Sequence, residues 1–383
     1  MEPVITIRDF LQLSALVNYQ LSADPVSWRA VLALVLGEAV PRKTEDVLVD
    51  FLTYLNEAYG QTKRRLGPYA VLHPIRTAAL LGMATDKPNV LDILTTLLHD
   101  KNEDITSDRY DGQEWKALEQ HYASLLRRIG DTDGWYLNER VDILARRGDE
   151  KYYTYLGRVL DRAAQTPEVV RAKLADRLDN TLDMRIDLQE EADKTDCFEL
   201  IFDILFAGTY SGYGKEYRHP VPGKINGAKR LYQLFKNAVF LSLLRQRKLD
   251  RIDEPVTRLF TTLAQASLKE SQRILVHLFS HHLRDIREQR GLLIDVMDYC
   301  ARGAINCVTQ PGETHRLDGL FKSRFDHEDK KQLNANLEDL YKDKALMVEA
   351  AIAFAAVFSS FLGDPDFRIK GIDVDGIRPT GNP

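Results

Sequence analysis

The chain has 383 residues, of which 44% are hydrophobic and 28% charged, and its formal net charge is −5. These are ordinary figures for a globular protein long enough for two domains or one large one. The negative balance argues against a general nucleic-acid binder, so no nucleic-acid partner is expected.

Three cysteines, Cys197, Cys300 and Cys307, form no CxxC pair. No disulfide framework is expected, and a reduced, cytoplasmic setting fits. Residues Met1 to Leu21 mix acidic, basic and apolar side chains without the layout of a signal peptide. The longest uncharged apolar stretch, Ala350 to Leu362, is short for a membrane span and reads as a buried helix, so no membrane partner is expected.

Residues 1–42 read as an N-terminal helical extension. Phe10, Leu11, Leu13, Leu16 and Val17 recur at helical spacing, as do Trp28, Val31, Leu32, Leu34 and Val35. A helix over 43–60 carries Val47, Phe51, Leu52 and Leu55 and ends near Gly60. The basic cluster Lys63-Arg64-Arg65 is either a solvated turn or an anion clamp.

His73-Pro74 opens the next helix, with proline at its favoured first position and Gly82 as the expected stop. Pro88-Asn89 begins another. Val90, Leu91, Ile93, Leu94, Leu97 and Leu98 cover most of its circumference, so it should be buried up to His99-Asp100. A buried His or Asp is costly unless it is paired or bound to a metal. If that helix continues, Glu103 and Asp104 lie one turn on, beside His99 and Asp100. There they could orient a water or take its proton.

Trp115, Leu118, Tyr122, Leu125, Leu126 and Ile129 predict a helix, and a Gly/Asp-rich turn at Gly130 to Gly134 separates it from Val141, Ile143 and Leu144. Arg146, Arg147, Tyr152, Tyr153, Tyr155 and Arg158 are either amphipathic helix surface or groups that stack on a base and grip phosphate. A helix then starts at Thr166-Pro167-Glu168. Leu174, Leu178 and Leu182 form one face and Asp176, Asn180, Asp183 and Asp187 the other, which is expected to be solvated unless its Asp176 end turns into a pocket. Two imidazoles, His73 and His99, and two carboxylates, Asp100 and Asp176, make four potential ligands for one divalent metal. The mixture suits Mn, Fe, Zn or Ni better than Ca or Mg.

This set resembles the metal site of the HD-domain phosphohydrolases. The likeness is closer to one branch. His73-Pro74 with Arg76, Leu97-Leu98-His99-Asp100-x-x-Glu103-Asp104, and Lys173-Leu174-Ala175-Asp176-Arg177 with Asn180 are similar to the hydrolase domain of RelA/SpoT-type proteins. Gly67-Pro68-Tyr69 before His73 is similar too, and the likeness covers roughly residues 45–190. The chain departs from the family pattern at Asp179, where histidine is common. The resemblance implies an all-α hydrolase domain with one divalent metal, usually Mn²⁺, bound by His73, His99, Asp100 and Asp176. Glu103 and Asp104 would position or activate water. Asn180 would contact the nucleotide, and Arg64 or Arg65 would lie near phosphate. Arg146 and Tyr152 complete the candidate substrate contacts. The implied activity is removal of the 3′-pyrophosphate of (p)ppGpp by metal-activated water. Alternatives are hydrolysis of another nucleotide, or a nucleotide sensor with weak or no hydrolysis. Nothing resembles the alarmone synthetase domain.

After the hydrolase domain (43–207), residues 208–224 are rich in Gly, Tyr and Pro and read as a linker or lid. Gly214-Lys215 and Gly223-Lys224 lack the spacing of a P-loop. Residues 225–363 read as a second helical domain, in which His277, His281 and Asp285 repeat every four residues. That stripe is either a polar surface or a second metal site. Ala345 to Leu362 is the most apolar helix, which leaves room for a homo-oligomer formed through the C-terminal helices. Residues 364–383 read as a loosely held tail.

Overall fold

The computed structural model describes residues 2–37, 41–60, 62–63, 69–87, 89–148, 150–184, 197–206, 227–308, 315–327 and 329–379. These residues are predominantly helical, as expected for an all-α chain, and they include one small antiparallel hairpin, Ile372–Asp373 (β1) with Gly376–Ile377 (β2). The chain divides into two compact units. Unit 1 is Met1–Leu182 with Leu249–Thr262, and unit 2 is Asp183–Lys248 with Leu263–Pro383.

Unit 1 carries α1 (Ile7–Leu21), α2 (Trp28–Leu36), α3 (Arg42–Tyr59), α4 (Leu72–Ala84), α5 (Val90–Leu97), α6 (Lys101–Asp104), α7 (Gly112–Ile129), α8 (Asp131–Leu144), α9 (Tyr152–Ala163) and nearly all of α10 (Pro167–Asp183). Residues 1–42 therefore belong to the same unit as the candidate site. Side chains start several of these helices by satisfying unpaired N–H groups. The Asn89 carboxamide accepts from Leu91 N at 2.9 Å, and Asp111 and Glu114 form a capping box.

The core of unit 1 is built around α4. Ile75, Ala78, Ala79 and Leu80 are fully buried, and so are the polar Arg76 and Thr77. The expected stop at Gly82 is not one: α4 runs on to Ala84. A Cβ on Gly82 would stand 3.1 Å from the Val35 carbonyl oxygen, so this glycine allows α2 and α4 to pack closely. The expected turn over Gly130 to Gly134 is likewise shorter. Only Gly130, at φ +101°, breaks the chain, and Gly134 lies inside α8 against the Leu126 carbonyl of α7.

The acidic face of α10 is not solvated. Asp176, Asp179 and Asp183 are all buried; Asp179 is compensated from α4 by Arg76 and His73, and Asp176 by Lys173 of its own helix. Asp187 lies outside the described residues. The stretch Leu249–Thr262 is held within unit 1 by an ion-pair chain. Arg171 of α10 bridges buried Asp92 at 2.7 Å and Asp253 at 2.9 Å.

Unit 2 carries α11 (Cys197–Phe206), α12 (Gly227–Gln246), α14 (Ile286–Ala301), α15 (Lys330–Lys342) and α16 (Lys344–Gly363). The division between the units falls inside α13 (Glu254–His281), after Thr262. An aromatic chain, Phe235–Phe321–Phe354–Phe358–Phe361–Phe367, forms much of the core. Among the described residues α16 alone is long and apolar enough to cross a membrane, and most of its hydrophobic residues are buried in the protein.

The segment after Gly363 is not a loose tail as far as residue 379. Phe367, Ile369, Ile372 and Ile377 are buried, and Ile369 N donates to Ser242 Oγ at 3.0 Å. The polar stripe is shorter than its spacing implied. α13 ends at His281, and Asp285 instead caps α14, accepting from Arg287 N at 2.7 Å. The expected linker or lid at 208–224 lies outside the described residues.

Candidate metal centre

Three local structures deliver the four candidate ligands. His73 stands in the first turn of α4, with its ring buried. His99 and Asp100 lie in a break between α5 and α6. The chain leaves helical geometry at Leu98 (φ −101°, ψ 4°) and Asp100 (φ −97°, ψ 4°), then resumes at Lys101. Asp176 projects from the middle of α10 and is 4% exposed.

Their ligand atoms converge. His99 Nε2 is 3.2 Å from His73 Nε2. Asp100 Oδ2 is 3.3 Å from His73 Nε2 and 3.1 Å from His99 Nε2. Asp176 Oδ1 is 3.4 Å and 3.7 Å from the same two nitrogens. Ligands about 2.1 Å from a common centre stand roughly 3.0 Å apart at right angles and roughly 3.4 Å apart at tetrahedral angles, so these separations fit a single ion. With its side chain 24% exposed, Asp100 is the most open of the four.

The opposite ring nitrogens are both anchored to oxygen. His73 Nδ1 lies 2.6 Å from Asp179 Oδ2, and His99 Nδ1 lies 2.7 Å from the Thr96 carbonyl. That carbonyl is in the last turn of α5, where the helix has no N–H to offer it. A ring donating from Nδ1 keeps its Nε2 lone pair for the centre. Two such lone pairs 3.2 Å apart repel one another unless a cation, or a proton, lies between them. The charge balance agrees. Burial disfavours a charged His99 ring, yet the Asp100 and Asp176 carboxylates outweigh it and lift its pKa to about 9. Asp100 and Asp176 resist burial in turn. His99 holds Asp100 well below the carboxylate range, and Lys173 with the histidines does the same for Asp176.

Several groups support the ligands. Lys173 Nζ bonds Asp176 Oδ2 at 2.7 Å, and Asn180 Nδ2 bonds Asp176 Oδ1 at 2.5 Å. Asn180 is thus engaged with a ligand carboxylate. Glu103 and Asp104 do not extend α5 as expected, because the break at 98–100 re-aims them. Glu103 Oε1 accepts from Arg146 N at 2.8 Å, and Asp104 Oδ2 accepts from the Tyr59 hydroxyl at 3.1 Å. Burial and the charge of Asp100 raise the proton affinity of both carboxyls, which suits a proton acceptor.

Of the expected substrate contacts, Arg146 reaches Glu103 through its backbone, while its side-chain Nε donates to the Glu150 carbonyl at 2.8 Å. Tyr152 is half-buried at the start of α9. Burial raises its pKa, and the charges of Arg177, Lys173 and Asp176 act on it. Arg64 and Arg65 lie outside the described residues. The residues that sequence reasoning left without a role are Asp179, Tyr59 and the Thr96 carbonyl. Spacing offered one signal among them, since Asp179 follows Asp176 by three positions on a helix.

In unit 2 the His277 and His281 rings lie 4.6 Å apart with their planes tilted at 57°, and burial with the neighbouring His281, His282, Arg230 and Arg273 pushes His277 down to about 4. Among the described residues the set at metal-holding distance is His73, His99 and Asp176, whose ligand atoms lie within 4.8 Å of one another. Comparison with protein-family models, characterised proteins and solved structures finds no match to this chain.

Proposed function

We propose that the chain is a metal-dependent phosphohydrolase of the HD type, acting as a (p)ppGpp 3′-pyrophosphohydrolase. The observation that carries this reading is the pair of Nδ1-anchored imidazoles whose Nε2 atoms, 3.2 Å apart, each lie 3.1–3.7 Å from the Asp100 and Asp176 carboxylates. Such a set suits Mn²⁺ better than Mg²⁺ or Ca²⁺. His73, His99, Asp100 and Asp176 would hold the ion, which when bound acidifies water and neutralises phosphate charge.

The remaining work falls to the chain's own groups. Glu103 and Asp104, fixed by Arg146 N and Tyr59, accept the proton released as water attacks phosphorus. A new oxygen–phosphorus bond forms while the bond from phosphorus to the 3′-oxygen breaks, and that oxygen leaves with a proton. Lys173 and Asn180 hold the Asp176 carboxylate in one orientation. Tyr152, on which the charges of Arg177 and Lys173 act, would be the aromatic group that meets the nucleoside.

The test is turnover of guanosine tetraphosphate against a nucleotide panel by the full chain with Mn²⁺, with Asp100→Ala as control. Release of GDP and pyrophosphate by the wild type alone is the expected result. Preference for another phosphoester would keep the centre and replace the substrate. Binding of guanosine nucleotides without cleavage would make the chain a sensor.

A further inference from the structure

We infer that Asp179 is a positioning residue of the metal centre, held by Arg76 so that it fixes His73 in its metal-binding tautomer. The inference rests on the metal-centre reading above and adds a determinant of affinity that touches no substrate. Asp179 and Arg76 are both fully buried, on α10 and α4. Asp179 Oδ1 accepts from Arg76 Nε at 2.7 Å. Its Oδ2 accepts from Arg76 Nη2 at 2.9 Å and from His73 Nδ1 at 2.6 Å.

Three consequences follow from that geometry. A carboxylate paired with a guanidinium on both oxygens stays ionised, so it can only accept, and His73 Nδ1 must donate. The same pairing occupies Asp179 fully and keeps it from becoming a ligand itself. The guanidinium is fixed in turn by α1: Arg76 Nη1 donates to Ser14 Oγ at 3.3 Å, and its Cζ lies 4.9 Å from the centroid of the Phe10 ring. The N-terminal helix thus belongs to the support of His73. Rotation of that ring is opposed by groups on α1, α4 and α10.

Asp179→Asn keeps the shape and removes the logic. One amide oxygen must serve three N–H donors, and the amide NH₂ turns toward a nitrogen. His73 then shifts toward the Nε2–H form, which points a hydrogen at the centre instead of a lone pair.

The experiment compares full-length wild type and Asp179→Asn for Mn²⁺ affinity, read from the electron paramagnetic resonance of free Mn²⁺. Imidazole ¹⁵N shifts of the metal-free proteins report the His73 tautomer, and circular dichroism confirms the fold. Binding by Asp179→Asn is expected to weaken about 10- to 100-fold, with loss of the Nδ1–H signature. Thr181→Val, a buried change on the same helix, should leave the affinity unchanged. If Asp179→Asn does not fold, the double variant Arg76→Met/Asp179→Leu removes both buried charges and carries the same expectation. A folded variant that binds Mn²⁺ within twofold of wild type overturns the inference. Failure of the wild type to bind Mn²⁺ sinks the metal-centre reading and this inference with it, a result distinct from the first.

Discussion

Adding Mn²⁺ to the metal-free protein should expel a proton from His99. Its Nδ1 is committed to the Thr96 carbonyl, so the proton that the Asp100 and Asp176 carboxylates hold on the ring up to a pKa of about 9 sits on Nε2, the atom a cation needs. At pH 7.5 that nitrogen is almost fully protonated, and about one proton must leave for each ion bound. Below pH 9 the apparent affinity should therefore fall about tenfold per pH unit, or ~1.4 kcal/mol, and it should level off above. Calorimetric titration at pH 7.5 in buffers of different ionisation heat measures the released protons directly. Release of no proton would refute the assignment of His99 Nε2 as a ligand. Metal removal has a linked effect on stability. The His99 pKa in the folded protein stands above its ordinary 6.5, so the charged ring stabilises the metal-free fold fully below pH 6.5. That contribution, at most about 3 kcal/mol, disappears as pH rises through 9. Metal-free protein should lose thermal stability between pH 7 and 9, and saturating Mn²⁺ should restore it.

Further expectations concern other parts of the molecule. Tyr59→Phe removes the hydrogen bond to Asp104 and should cost about 1 kcal/mol of stability while lowering kcat more than it alters KM. An unchanged kcat would remove Asp104 from proton handling. In unit 2, burial raises buried Glu349 to about 7 despite Arg316 at 3.0 Å. The folded state then binds more protons than the unfolded one between pH 4.5 and 7, so this residue subtracts stability as pH rises through that window, by at most about 3 kcal/mol. The Tm of Glu349→Gln should overtake that of wild type across this range, and parallel melting profiles would count against it. At Gly134 an added Cβ would stand 2.6 Å from the Leu126 carbonyl oxygen. The clash, about 1–3 kcal/mol, should exceed the helix-propensity gain of about 1 kcal/mol. A Gly134→Ala protein with a higher urea midpoint would contradict the close approach of α7 and α8.

The candidate ligand residues were legible because their chemistry is unusual where it stands. His99-Asp100 closes an apolar run, and His73-Pro74 opens a helix whose other residues, Arg76 and Thr77 aside, are small or apolar. The support was less legible. Asp179 read only as a departure from the family pattern, since its neutralising Arg76 lies 103 positions away in sequence and only the fold brings them within 2.7 Å. The break at 98–100 carries no glycine or proline, so nothing local announced that Glu103 and Asp104 leave the line of α5. Glycines misled in the opposite direction. Gly82 and Gly134 read as breakers, but both lie inside helices where two backbones come close. The segment after Gly363 has a tail's composition, yet Phe367, Ile369, Ile372 and Ile377 bury it.

The return of the chain to unit 1 at Leu249–Thr262 bears on when this protein can fold during synthesis. Asp253 completes the ion-pair chain through Arg171, and Arg171 lies on the helix that carries Asp176. Val256 and Leu259 are fully buried, Arg258 Nη1 donates to the Ala84 carbonyl at 3.1 Å, and Val4 N donates to Thr262 Oγ1 at 2.9 Å. A nascent chain that has emerged only through residue 182 lacks all of these contacts. The helices of the candidate site must wait for some eighty further residues, most of which belong to the other unit. Closing so long a loop slows folding and leaves apolar surface open in the interval. Expressed alone, residues 1–207 would remain in that unfinished state, and their insolubility would say nothing about the chemistry of the complete site.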